Sequence, residues 1–67
     1  MAYIVSVKNR QSGEQYFLRS SIWTTSRDRA DTFETDFGAK TAIAKAMTFT
    51  KPRVFAQRYT APEIIEA

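Results

Sequence analysis

Nothing in this chain can staple it. Its 67 residues include neither cysteine nor histidine, so no disulfide and no cysteine- or histidine-bearing metal site can stand in for a hydrophobic core. A chain of this length forms one domain, residues 1–67, near the lower limit of what folds unaided. Every element must therefore bring apolar surface to a single core. The same absences remove the histidine base and the thiolate nucleophile from the catalytic repertoire. Ser12, Ser20, Ser21 and Ser26 have no partner positioned by the sequence to activate them. The chain reads as non-enzymatic.

Two further searches end the same way. Gly13 and Gly38 are isolated, so there is no glycine-rich phosphate loop. Asp28, Asp31, Glu34 and Asp36 form one carboxylate cluster, interrupted by Arg27 and Arg29, without the spacing of a calcium loop. Capping and first-turn acids at helix N-termini account for it better. No metal and no cofactor are expected.

Tyr3 to Lys8 is rich in β-formers and alternates, with Tyr3, Val5 and Val7 on one face and Ile4, Ser6 and Lys8 on the other. A polar loop around Gly13 leads to a returning strand, Gln15 to Ser20. The region from Ser21 to Glu34 is less regular. Ser26 is placed to cap a single helical turn over Arg27-Asp28-Arg29-Ala30, and whether 26–34 is helix or loop stays open. Thr35 or Asp36 then caps one amphipathic helix, from Phe37 to about Phe49. Ala39, Ala42, Ile43, Ala46, Met47 and Phe49 share its apolar side, opposite Thr41, Lys45 and Thr48. Pro52 stops it. Arg53 to Tyr59 reads as a third strand, and residues 61–67 as a flexible tail after Pro62. The expected fold is α+β: a small antiparallel sheet of about three strands, one main helix packed on one face, in ββαβ order.

In that arrangement the helix covers Val5, Val7, Tyr16, Leu18, Val54 and Ala56. The other face would carry Ile4, Ser6 and Lys8, then Phe17 and Arg19, then Arg53, Phe55, Gln57 and Tyr59. A solvated sheet face should be polar, whereas this one interleaves aromatics with cations. Phe17, Arg19, Arg53, Phe55, Tyr59 and Lys8 are therefore the candidate partner-binding residues. Three occupants fit such a face: a second copy in a homodimer, single-stranded RNA or DNA stacked on the rings, or a different protein anchored by aromatics and arginines.

Ten Lys+Arg against seven Asp+Glu give a formal net charge of +3, which favours polyanions and acidic protein surfaces. No apolar stretch approaches the ~20 residues of a membrane span. The N-terminus lacks a basic segment ahead of its apolar residues. A cytoplasmic protein, complete as written and with no membrane partner, is expected.

The order Tyr3-Ile4-Val5, Tyr16-Phe17-Leu18, Trp23-Thr24, then Ala30, Phe33 and Thr35, an alanine-bearing helix and a final strand, resembles small accessory proteins of bacteriophages and mobile elements. It spans about residues 3–60, mostly core positions, and carries no functional residue over. The resemblance implies a phage-encoded inhibitor that binds and occludes a host protein of the defence or transcription machinery, acting in the host cytoplasm. The alternative is a single-stranded RNA- or DNA-binding protein using the basic-aromatic face.

Overall fold

The apolar run Ile4 to Val7 ends up in the middle of the sheet. The computed structural model describes residues 2–67. Its four strands are β1 (Tyr3–Lys8), β2 (Gln15–Arg19), β3 (Ile22–Thr24) and β4 (Glu63–Glu66). They are antiparallel in the order β3-β2-β1-β4. Two helices, α1 (Asp36–Met47) and α2 (Pro52–Arg58), complete an α+β fold, with a 3-10 turn at Arg27–Arg29. No helix among the described residues is long and apolar enough to cross a membrane.

Each turn has an identifiable chemical cause. In the β1–β2 loop, Asn9 Oδ1 accepts the N–H groups of Gln11 and Ser12, each at 2.9 Å. Gly13 closes it in the left-handed region, φ 74, where a side chain would be strained. Register then places Val7 opposite Tyr16 and Ser6 opposite Phe17. The β2–β3 turn needs only Ser20 and Ser21, and Ser20 takes a left-handed φ of 56. Asp31 Oδ2 holds it there, accepting the Ser20 N–H at 2.5 Å.

The alternation read from β1 and β2 holds. Val5 and Leu18 are fully buried against Ala39 and Ala46 of α1, with Trp23, Phe33, Ala42, Ile43 and Ile64 packed around them. Thr35 caps α1, its hydroxyl accepting the Gly38 N–H at 3.1 Å. A Cβ on Gly38 would stand 3.8 Å from that of Phe33, so the helix approaches Phe33 closely at its first turn.

Three expectations change. Pro52 does stop α1, but it also occupies the first turn of α2, where its missing N–H costs nothing. Residues 53–58 are thus helical, and the expected third strand is absent. Arg10 holds that helix from its C-terminal end, with Nε donating to Ala56 O at 2.7 Å and Tyr59 O at 3.0 Å. The Arg10 backbone N–H adds a bond to Arg58 O at 2.7 Å. A cation at this end also complements the helix dipole.

The second change concerns the last residues. Tyr59 bridges to Asn9, and Thr60 donates to Lys8 O at 2.8 Å. After an interruption at Pro62, the chain pairs with β1 again as β4. The expected tail therefore supplies a strand. Phe49 is the third: the helix ends at Met47, and the ring is 73% exposed instead of joining the apolar side.

Replacing Ser20 with glycine removes the strain of a left-handed L-residue, which exceeds the added entropy of the unfolded chain. Ser20→Gly is expected to raise stability by about 0.5–1 kcal/mol, read as a midpoint several degrees higher in thermal unfolding. A lower midpoint would mean that the serine side chain supports the turn in another way.

Candidate functional site

The face opposite α1 is covered, and the cover comes from the chain itself. After β3, residues 25–30 cross that face. Arg27 lies over the Phe17 ring, its Cζ 5.9 Å from the centroid, and its Nη2 donates to Glu66 O at 3.1 Å. The chain then passes between the ends of β1 and β2. Asp31 N–H donates to Leu18 O at 3.0 Å, while Tyr3 and Phe33 exchange both backbone bonds, at 2.7 and 2.8 Å. Phe33 emerges on the α1 side and joins the core there. Beneath the crossing, Ile4 and Phe17 are buried. Ser6 is buried too, and its Oγ accepts from the Gln15 amide at 2.7 Å.

The expected uncovered aromatic face is therefore not present. Its six candidate residues divide between two sides. Lys8, Phe17 and Arg19 lie on the crossed face, as read, but Phe17 is sealed under Arg27. Phe55 and Tyr59 lie on the other side, where α2 docks. There Trp23 and Phe55 approach to 5.4 Å between centroids, Phe55 and Tyr59 to 5.0 Å, and Tyr16 meets Tyr59 edge-on at 5.4 Å. This aromatic row fixes α2 to the sheet. Arg53 is exposed on α2 and belongs to neither group. Their separation follows from 53–59 being helix with its C-terminal residue, since a helix cannot present alternate residues as a strand does.

What remains on the crossed face is basic. Arg19 Nη1 donates to Arg29 O at 3.3 Å, so Arg19 and Arg27 are each held by a backbone carbonyl. The one ion pair among the described residues is Lys40 with Asp36, 3.8 Å apart and exposed. No carboxylate thus pairs with Arg19, Arg27 or Arg29, and each held guanidinium retains donors for another acceptor. Asp31, the nearby acid, is committed to the Ser20 turn. Ile22 stands opposite Arg19 in the β2–β3 register and is 60% exposed. Of this carbonyl-anchored arginine pair and its exposed isoleucine, the sequence points to Arg19 alone and not to Arg27 or Ile22. The stretch Arg27-Asp28-Arg29 did contain the signal, which needed the crossing to place it.

Farther along the same face, the interruption at Pro62 leaves a hollow of about 420 Å³ lined by Ser6, Lys8, Gln15, Thr60 and Glu63 among others. Its walls also include Val7, Ala61 and Pro62, and no group of three or more acidic side chains able to hold a metal ion gathers among the described residues. No buried side-chain nitrogen or oxygen among them lacks a hydrogen-bond partner. No family model, curated protein or solved structure matches the chain.

Tyr16, on the α2 side, holds its phenol proton more tightly than an ordinary tyrosine does. Partial burial is the largest cause, and the Glu14 carboxylate and Tyr59 add to it; all push the phenol above its ordinary 10.0. A group whose proton is held more tightly in the folded state contributes stability at neutral pH. That contribution is lost as pH rises from 10.0 through the folded value. Tyr16→Phe should therefore show a shallower loss of stability in this alkaline range, followed by denaturant midpoints at increasing pH. An identical slope in the two proteins would contradict the assignment.

Proposed function

We propose that this chain is a non-enzymatic binding module that docks its arginine-bearing face on an acidic surface of another protein and acts by occluding it. The observation that carries this reading is the state of Arg19 and Arg27. Both are positioned by backbone carbonyls and neutralised by no carboxylate. Pre-positioned guanidiniums lose little freedom on binding and form charge-assisted bonds with acidic partners. Ile22 beside Arg19 adds the apolar anchor that protein interfaces favour at their centres. Occlusion requires only a stable scaffold and a few such anchors. Inhibition of a host protein by a phage-encoded module is the form that the sequence resemblance gives to this reading.

Single-strand binding by base stacking fits the geometry less well. Stacking needs open rings among the cations, whereas Phe17 lies under Arg27 and Phe55 is buried between Trp23 and Tyr59.

The test is the double variant Arg19→Glu/Arg29→Glu, checked for unchanged circular dichroism and used beside the wild type to capture partners from a cell extract. Proteins held by the wild type should be lost, with affinity at least ~30-fold lower if the face holds a hot spot. Retention of the same proteins by both forms would contradict the choice of face. Strong binding of a generic oligonucleotide, with a steep salt dependence abolished in the variant, would favour the nucleic-acid reading instead.

A further inference from the structure

β4 is the last strand on its side of the sheet, and its register determines which backbone groups point outward. Ala67 N–H donates to Ala2 O at 2.9 Å, and Tyr3 lies opposite Glu66, Val5 opposite Ile64. In an antiparallel ladder this phase turns the backbone groups of Glu63 and Ile65 toward β1, and those of Ile64 and Glu66 away from it. One outward group is occupied: Glu66 O accepts from Arg27 Nη2 at 3.1 Å. The Ile64 N–H and C=O and the Glu66 N–H remain, and no hydrogen bond among the described residues takes them. Such a row is a template for one more strand.

The side chains specify which strand. Glu63 and Glu66 are exposed at the two ends of β4, with the half-buried Ile64 and Ile65 between them. With only the groups of Ile64 and Glu66 turned outward, a second copy laid antiparallel centres on Ile64 or Ile65, which sets Glu63 against Ile65 or Glu66 against Ile64 and gives neither carboxylate a cation. Opposite charges directly across a strand pair are stabilising, and self-pairing offers none. A segment with the order cation, apolar, apolar, cation would instead meet each carboxylate with an opposite charge. We propose that the outer edge of β4 accepts an extended basic segment of a partner protein, with Lys or Arg opposite Glu63 and Glu66. Pairing to the outward groups of Ile64 and Glu66 supplies affinity, and the two carboxylates supply selection. This edge has the opposite charge to the arginine face, so it stands or falls separately from that reading.

The probe is a blocked peptide, Thr-Lys-Val-Val-Lys-Thr, whose core reads the same in both directions and so does not presuppose strand polarity. It is titrated into the full isotope-labelled chain, with Thr-Glu-Val-Val-Glu-Thr as its charge-reversed counterpart. The basic peptide should shift and slow the exchange of the Ile64 and Glu66 amides. It should bind about tenfold more tightly than the acidic one. In the Glu63→Lys/Glu66→Lys chain the preference should invert. No binding at millimolar peptide, equal binding of both peptides, a response centred on Arg19 and Arg29 with the Ile64 and Glu66 amides unmoved, an unchanged preference in the variant, or a β4-to-β4 dimer without peptide would each overturn the proposal.

Discussion

The structure depends on one constraint: β1 is buried on both faces. Val5 and Val7 are sealed on one side and Ile4 and Ser6 on the other. Burying a large apolar side chain contributes about 1.5–3 kcal/mol. A chain of this size has a net stability of roughly 3–10 kcal/mol, at about 0.05–0.15 kcal/mol per residue. Leaving Ile4 and Phe17 in water would therefore forfeit about 3–6 kcal/mol, a large part of that total. The second cover is a requirement of the fold. α1 and α2 supply one, and the crossing at residues 25–30 supplies the other.

That crossing ties stability to the surface where a partner is proposed to dock. Arg27 shields Phe17 with its own side chain and holds the end of β4 through Glu66 O. Asp31 pins the left-handed Ser20 and, through its N–H, the end of β2. Asp31 thus serves the turn, and neither it nor Asp28 forms an ion pair with these arginines. The segment that seals Phe17 therefore also presents Arg27 and Arg29 at the surface.

Periodicity made much of this legible. The two faces of β1 and β2, the polar loop with Gly13 and the Thr35 cap of α1 all follow from local pattern and capping chemistry, whereas the pattern left residues 26–34 open between helix and loop. A single 3-10 turn forms there at Arg27–Arg29, without a capping bond from the Ser26 side chain. The α2 segment was illegible for two reasons. Its seven residues are too few for a helical period to outweigh a two-residue alternation, and its C-terminal support comes from Arg10, distant in sequence. β4 carries two adjacent isoleucines, one for each face of the sheet, which reads as no period at all. With α2 taken as a strand, Phe55 and Tyr59 fell on the arginine side. The candidate face consequently mixed residues that the fold separates. The cover over Phe17 is a tertiary event, and no local pattern announces that a loop will cross a sheet.

The central claim is that the chain closes its own core, with both faces of β1 covered from within. Small-angle scattering at micromolar concentration tests it most directly. The account predicts the mass of a single 7.7 kDa chain and a radius of gyration close to the 11.0 Å of its Cα trace, enlarged only by side chains and hydration. A concentration-independent particle of twice that mass, with a shape that sets two sheets face to face over Ile4 and Phe17, would contradict it, since the second cover of β1 would then come from another copy.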